Sequence, residues 1–250
     1  QDAYGNLIII DKFAQPSRMK LPYALSPGEI PGVVTAMDID GNNLSGIYDS
    51  GYVAFAIQGR GSYYTLYNYI KFTDVAKEKW YFDCVTSMAA KDYILGIGGD
   101  KFAPENAITR AEYAAIIARI LKLDTKREFV TQFSDVKKGS WFYGYVHALS
   151  ELGIIKGVPG NKFEPEQKIN RQDMVVILMR TLEYKKVNTR IESPHSFKDS
   201  GEISDYAKEA VETAAALGII SGKGGNIFDP KGGAIRAEAA KVLLVLAMML

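Results

Sequence analysis

The sequence is poor in the residue types on which many enzymatic and metal sites depend. Its 250 residues include one cysteine, Cys84, and two histidines, His147 and His195. A single cysteine excludes an internal disulfide and every multi-cysteine zinc site, so packing must stabilise the fold. We expect Cys84 to be a small buried helix residue. A Cys/His or Ser/His nucleophilic site has no supporting sequence context, and no metal site or cofactor is predicted.

The chain also lacks an excess of charge and a long apolar run. Lys and Arg number 30 against 29 Asp and Glu, so no bulk positive charge would attract nucleic acid or anionic lipid. The longest apolar run, 242–250, is far shorter than the roughly 20 residues that cross a bilayer, and we predict a buried terminal helix there and no membrane span. No charged-then-apolar leader opens the sequence, although a processed chain would lack one.

Residues 1–70 have a β-rich pattern. The stretches "VVTAMDID", "GYVAFAI" and "YYTLYNYI" alternate or run apolar as strands do, with turn residues such as Gly41 and Asn42 between them. We predict a small antiparallel β segment that is the tail of a larger domain. Four tyrosines cluster in this region: Tyr63, Tyr64, Tyr67 and Tyr69. They could form a carbohydrate-stacking surface, but we favour the interpretation that they pack on both sides of a strand.

The rest of the sequence repeats itself three times. "ITRAE" at 108–112 is echoed by "INRQD" and "AIRAE", which places Arg110, Arg171 and Arg236 at intervals of 61 and 65 residues. The same motifs come before each arginine in the same order along the chain. First comes "FTDV", "FSDV" or "FKDS", next an aromatic residue, and last a loop such as "LGIGGDKFAPENAI" that leads to the arginine. An ordered set of motifs that recurs three times indicates tandem structural repeats, at 71–125, 132–186 and 196–250.

Each repeat is predicted to be a helical hairpin. Apolar residues three and four apart indicate first helices at 79–91, 141–152 and 206–217. Second helices begin at the repeated arginines and run over 110–121, 171–182 and 236–249. One such hairpin exposes too much apolar surface to be stable alone, whereas three can bury a common core.

The second helices carry capping signals of unequal quality. Thr109 and Glu112 form a capping box, and Asn170 can cap the next helix, although Asp173 makes the reciprocal bond doubtful. Ile235 cannot cap. Arg110 falls on the first helical turn, where the helix dipole disfavours a cation by roughly 0.3–1 kcal/mol. The repeated arginine therefore needs an anionic partner.

The four motifs together resemble the S-layer homology family over residues 72–250. The resemblance implies a mainly α fold, a pseudo-threefold, three-pronged spindle of helical hairpins with grooves between repeats, in a monomer. It also implies an extracellular, non-catalytic module of the cell wall or S-layer. Such modules anchor exported proteins to a secondary cell-wall polysaccharide of Gram-positive and related bacteria, commonly one that bears pyruvate ketals.

The resemblance assigns the acidic sugar to the repeated arginine, which is Arg110, Arg171 and Arg236 here. A guanidinium beside helix amides could grip a carboxylate supplied from outside. The alternative is an internal carboxylate partner, or an apolar surface covered by the arginine stem. The capping motif is weakened in the second repeat, where Asn170 still caps, and it is lost in the third repeat, where Ile235 cannot cap. We therefore rank Arg110 and Arg171 above Arg236.

Further candidate residues follow from the repeats. The aromatic residues near the first-helix starts could stack on a sugar or seal the core, and these are Trp80, Trp141 and Tyr206. Lys122 suits the end of its helix and could also reach a groove. The repeated aspartates are expected to organise turns through backbone amides: Asp74, Asp135 and Asp199.

Two rival functions remain open. A protein–protein scaffold of the surface layer would use the outer surface of the repeats. A glycoside hydrolase would need two carboxylates about 5–9.5 Å apart, and the repeated acids, Glu112 and Asp173, are already engaged in capping. We therefore predict that the chain is not an enzyme, and that it is at most the non-catalytic part of an exported hydrolase.

Overall fold

The computed structural model describes residues 12–130 and 132–250. The chain divides after Asp100 into two compact units. The described fold is mainly helical with a small antiparallel β segment toward the N-terminus, which confirms the predicted class. Residues 1–11 of the predicted β region lie outside the described residues.

The described residues of the first unit, 12–100, form two three-stranded antiparallel sheets. One has the order β1 (Lys12–Pro22), β5 (Tyr52–Gly59), β4 (Ile47–Asp49). The other has the order β3 (Asn43–Ser45), β2 (Val34–Asp38), β6 (Tyr63–Tyr67). The chain passes from one sheet to the other at Ser45 and Gly46, which have positive φ angles of 64° and 119°.

The three strands predicted from sequence are present as β2, β5 and β6, whereas β1 and the two short strands β3 and β4 were missed. Its register against β5 is interrupted between Lys12 and Ser17, around a proline that cannot donate to a ladder. Tyr63 and Tyr67 pack against the apolar core of the sheets, whereas Tyr64 is exposed on the other side. One face of β6 therefore packs on the core and the other is open to solvent, so the packing on both sides that was favoured from the sequence is present on one side only.

The first helix, α1 (Phe82–Ala90), belongs to this same unit. The carbonyl oxygen of Ala90 accepts hydrogen bonds from the side-chain amides of Asn43 and Asn68, at 2.8 and 2.7 Å. The ammonium group of Lys91 donates to the carbonyl oxygen of Gly32 at 2.6 Å, and burial lowers the pKa of Lys91 to about 8. Side chains and backbone groups of the β segment and α1 are thus joined directly.

The second unit contains the other five described α-helices. These are α2 (Arg110–Ile120), α3 (Tyr143–Glu151), α4 (Arg171–Tyr184), α5 (Asp205–Ala216) and α6 (Arg236–Met249). α2 packs on α3 and α4 packs on α5, while α6 contacts both α2 and α4. All six predicted helices are therefore present.

Two first helices begin later than predicted. Hydrogen bonds from the Phe82 amide to the Lys79 oxygen and from the Tyr143 amide to the Ser140 oxygen form a turn before each helix. Trp80 and Trp141 lie in these turns, just before the helices rather than inside them.

The second helices begin with three different arrangements. Thr109 Oγ1 accepts the Glu112 amide at 3.1 Å, and Glu112 Oε2 accepts the Thr109 amide at 2.7 Å. In α4, Asn170 accepts the Asp173 amide at 2.8 Å, and the Asp173 carboxylate bonds elsewhere. In α6, Ile235 has no side-chain acceptor, so only Glu238 acts, accepting the Ile235 amide at 3.1 Å.

Candidate functional site

The starts of α2, α4 and α6 lie together and are joined by backbone hydrogen bonds. The Ile108 amide donates to Ala234, the Ala234 amide to Ile169, and the Ile169 amide to Ile108, each at 3.0 Å. These bonds close a cycle through all three repeats. Such a cycle agrees with threefold repetition, while the arrangement of the whole spindle stays a prediction.

The repeated arginines form a second cycle around the first. Each Nη1 lies close to a carboxylate oxygen at the start of the next second helix, and each guanidinium is buried. The pairs are Arg110 with Asp173 at 3.1 Å, Arg171 with Glu238 at 3.2 Å, and Arg236 with Glu112 at 2.9 Å. The arginines are 6, 5 and 8% exposed, so these pairs are largely shielded from solvent.

A phenylalanine of the neighbouring repeat completes each arginine site. Each Nε donates to the carbonyl oxygen of this residue at 2.8 Å, and the guanidinium lies over its ring at 4.7–5.1 Å from the centroid. The arginines contact these rings in order: Phe163, Phe228 and Phe102. The cation–π contact adds to the ion pair in a desolvated place.

These contacts explain how a cation is tolerated at the positive end of a helix. A charge-assisted hydrogen bond contributes roughly 1.5–3 kcal/mol. The opposing dipole effect is about 0.3–1 kcal/mol. The arginines therefore have the internal carboxylate partners that the sequence left as the alternative. This contradicts the expectation of three guanidiniums left open for an external acid; contact with a glycan in addition to these pairs stays a prediction.

The aspartates of the "FSDV" and "FKDS" motifs hold the phenylalanines in place. Asp199 accepts the amides of Phe228 and Asp229 at 2.8 and 2.7 Å. Asp135 accepts the corresponding amides of the second repeat, Phe163 and Glu164, at 2.9 and 2.8 Å. Burial tends to raise the pKa of Asp199, but these amides and the charge of Arg171 outweigh burial and lower that pKa.

The departures from the motif in the second and third repeats contact one another. The hydroxyl of Tyr206 donates to Asp173 Oδ1 at 2.5 Å, while Asp173 Oδ2 receives Arg110. The side-chain amide of Gln172 donates to Tyr206 and to Ser204 at 2.8 and 3.1 Å. Burial, followed by the bond to Asp173, raises the pKa of Tyr206 to about 12. The substitutions thus form one local network.

A pocket of about 440 Å³ lies beside this network. α4 presents to it a stripe of residues three and four apart, Asp173, Val176, Ile177 and Arg180, and Arg110 and Tyr206 also line it. The loop 155–159 forms the remaining wall, including Lys156. Three cationic side chains thus face one carboxylate, and that carboxylate already accepts bonds from Arg110 and Tyr206.

Arg180, like Lys156, lines this pocket without having been predicted from the sequence. Its side chain is half-buried, and it makes no ion pair or hydrogen bond with any residue in the described ranges. Burial lowers its pKa, an effect that the charges of Glu183 and Asp173 oppose. The available signal was spacing, since Arg180 follows Arg171 by the same nine residues that separate Arg119 from Arg110.

The other predicted site residues lie outside this pocket. Trp80 and Trp141 are 56 and 54% exposed, which excludes a purely core-sealing role. The ring of Trp141 makes edge contacts with Phe142 and Tyr145. Lys122 lies immediately beyond α2 with a φ of 52°, and its amide donates to the Arg119 oxygen. Binding by these residues stays a prediction.

The cysteine and the first histidine are structural. Cys84 is buried in α1, as expected. His147 is buried among Phe129, Phe133 and Tyr143, and burial lowers its pKa. Across residues 12–130 and 132–250, no group of three or more His, Cys, Asp or Glu side chains could hold a metal ion. In those same ranges, every helix is too short or too polar to cross a membrane.

Comparison with known proteins places these features in a family. The S-layer homology domain matches the chain at residues 71–114, 132–175 and 196–240, more than half of its length. The chain belongs to the S-layer homology family. Its members include S-layer proteins, and the family indicates a location at the cell surface.

Relatives of this S-layer homology chain include surface proteins and glycosidases. The chain is 36% identical over 220 residues to exoglucanase XynX of Acetivibrio thermocellus, covering 86% of this chain and 19% of the relative. It is 36% identical over 186 residues to an amylopullulanase of Thermoanaerobacterium thermosulfurigenes, covering 73 and 10%. It is 33% identical over 174 residues to the S-layer protein sap of Bacillus anthracis, covering 69 and 20%. The chain thus spans a fifth or less of each.

Proposed function

We propose that the three repeats anchor a larger surface protein to the bacterial cell wall by binding an acidic, pyruvylated secondary cell-wall polysaccharide. The observation that carries the proposal is the charge of the pocket beside α4. Arg110, Lys156 and Arg180 line it, against the single carboxylate of Asp173. A sugar that bears a carboxylate would supply the missing negative charge.

The volume and lining of the pocket also suit a sugar ring. Ligand sites combine apolar walls with a few polar groups that fix orientation. Val176, Ile177 and Pro159 provide apolar surface, and the half-exposed ring of Tyr206 stands at the edge. Tyr206 belongs to the third repeat, and the corresponding residues of the first and second repeats are Trp80 and Trp141. We extend the proposal to these two residues, whose rings would offer sugar-stacking surfaces. Lys122 is retained as a candidate cation.

Repetition would strengthen a weak contact. If two grooves bind one polymer, the second contact forms at high effective concentration, and the combined affinity can exceed either alone by about 10²–10⁴. The repeated arginines would contribute through their positive charge and by holding the grooves together. Arg110 lines the pocket itself, and Arg171 and Arg236 hold the equivalent positions of the cycle.

Calorimetry with the whole chain tests the proposal. We expect binding to purified pyruvylated wall polysaccharide, and an affinity that falls as sodium chloride rises because exposed charges are screened. The matched probe is the same polymer after mild acid has removed its ketals. Equal affinity for both polymers, or no change up to molar salt, would contradict recognition of the acidic group.

The two rival functions give different outcomes. A protein scaffold would bind surface proteins stripped of polymer and would be indifferent to removal of the ketals. A hydrolase would shorten the polymer, and it would need a second carboxylate in addition to Asp173, which the lining of this pocket does not provide.

A further inference from the structure

The repeated arginines have little bonding capacity left for a ligand. In Arg171, Nε donates to Phe228, Nη1 to Glu238, and Nη2 to Ser221 at 3.2 Å. Arg110 is only 6% exposed and uses Nε and Nη1 in the same way. A guanidinium that binds a ligand carboxylate with two parallel bonds needs two free donors on one edge. Another cation in the pocket is better placed to do this.

Arg180 meets the requirement. It stands on the pocket face of α4, seven residues after Asp173, and is separated from it by Val176 and Ile177. None of its donors is bonded to another residue in the described ranges, although the side chain is half-buried. Burial disfavours its charge, and Glu183 and Asp173 compensate only in part. An incoming anion would relieve this imbalance.

The corresponding positions in the other second helices differ. Arg119 occupies this position in α2, but its guanidinium lies over the ring of Tyr145 in α3, 5.1 Å from the centroid. In α5 the position of Tyr145 is taken by Ala210, which has no ring to cover Arg180. In α6 the corresponding residue is Val245, which carries no charge.

We infer that Arg180 is the residue that binds the acidic group of the ligand in the pocket beside α4, while the motif arginines hold the pocket together. The inference rests on the proposed function and identifies the contact that gives acid specificity. The ligand class is a sugar that carries a carboxylate. A phosphate-bearing sugar shares the recognition chemistry, so both enter the test.

The test is calorimetry with the whole chain at low salt and three monosaccharide probes: one with a pyruvate ketal, its 6-phosphate counterpart, and the neutral parent sugar. For Arg180→Gln we expect at least a ~tenfold loss of affinity for the ketal sugar, since a charge-assisted pair is removed. The matched control is Arg190→Gln, which removes the same charge from an exposed connector. We expect it to bind as the wild type does.

A conservative variant and a stability measurement separate binding from structure. Arg180→Lys keeps the charge but loses the planar fork, so we expect an intermediate affinity with the salt dependence retained. The thermal midpoint of Arg180→Gln should match the wild type, because Arg180 has no ion pair to lose within the described part of the chain. A midpoint that falls together with affinity would assign Arg180 a structural role and overturn the inference.

The remaining outcomes distinguish the role inferred for Arg180 from the proposed function. If the wild type prefers the ketal sugar and Arg180→Gln binds it equally well, the inference is overturned and the proposed function stands. If the wild type prefers neither acidic probe over the neutral sugar, both are overturned. If the phosphate sugar binds and the ketal sugar does not, Arg180 meets an anion of a different class, and the carboxylate assignment is overturned.

Discussion

At the scale of single residues, the most informative side chains are the three buried arginines. Each combines an unfavourable helical position with a carboxylate, a carbonyl oxygen and an aromatic ring from the next repeat. Their recurring place within the internal repeat thus has a structural explanation that requires no ligand.

Removal of one arginine should therefore be costly. We expect Arg171→Ala to lower the free energy of unfolding by roughly 3–5 kcal/mol, because it leaves Glu238 and two carbonyl oxygens without their donor in a largely buried place. Urea unfolding followed by circular dichroism measures this change. Arg190→Ala, in the exposed connector, should stay within about 0.5 kcal/mol of the wild type. If Arg171→Ala and Arg190→Ala were equally stable, a structural role for the ion pair between Arg171 and Glu238 would be excluded.

Asp199 provides a pH-dependent test. Its pKa is lowered in the folded state, so it stabilises the fold above the unfolded pKa of about 3.9 and loses that effect as pH falls through the folded pKa. We expect Asp199→Asn to lower the free energy of unfolding by roughly 1–3 kcal/mol at pH 7. The difference from the wild type should shrink below about pH 4.

The measurement is urea unfolding of both proteins between pH 3 and 7. Glu192→Gln, an exposed carboxylate of the connector, is the charge-matched control and should show little effect at any pH. A wild-type advantage that persists or grows toward pH 3 would contradict the assigned role of Asp199.

At the scale of elements, the three second helices show how one motif tolerates different starts. α2 has both bonds of the capping box, α4 keeps the bond from its cap residue, and α6 keeps the bond from its glutamate. The backbone angles at the cap positions of α2 and α6 are nearly the same, at φ −80° and −91° with ψ 161° and 159°. The backbone of α6 is therefore already suited to a capping side chain.

Restoration of the missing cap should stabilise α6. We expect Ile235→Thr to exceed Ile235→Val in free energy of unfolding by about 1 kcal/mol, because the two side chains have the same branched shape and only threonine can accept the Glu238 amide. Thermal or urea unfolding of both variants gives the difference. A valine variant as stable as the threonine variant would show that the hydroxyl does not cap.

At the scale of the whole molecule, the cycle of contacts in the unit after Asp100 is the main organising feature. Terminal repeats of an open array contact one neighbour and can fray alone. Here the first and third repeats are also joined, through Arg236 with Glu112 and the Ile108 amide with Ala234. Each second helix of this unit therefore has a neighbour on both sides.

The cycle predicts cooperative opening. We expect Arg236→Ala to accelerate amide hydrogen exchange in α2, α4 and α6 by similar factors, because each of these helices depends on the other two. Exchange measured by mass spectrometry resolves the three helices, and Arg190→Ala should leave all three unchanged. Acceleration confined to α6 would indicate repeats that open independently.

Much of this architecture was predictable because it depends on local pattern. Apolar spacing located all six α-helices of the described residues, cap residues placed the starts of α2 and α4, and the repeated arginine placed the start of α6. β1 escaped because a proline and several charges interrupt its alternation, and its pairing with β5 joins residues far apart along the chain, such as Lys12 and Gly59. The late starts of α1 and α3 come from turns that helical periodicity does not distinguish from a first helical turn.

The sequence by itself determined the repeats, the helices, the caps and the three arginine positions, because these follow from spacing along the chain. Only the tertiary structure decided what the repeated arginines contact, and that Arg180 lines a pocket with no bonded partner among residues 12–130 and 132–250. Arg110 meets Asp173 and Arg236 meets Glu112 across separations of 63 and 124 residues. The ring of Tyr145 covers Arg119, whereas no aromatic ring in the described part of the chain covers Arg180. Neighbours of this kind are fixed by the packing of distant segments, on which local periodicity carries no information.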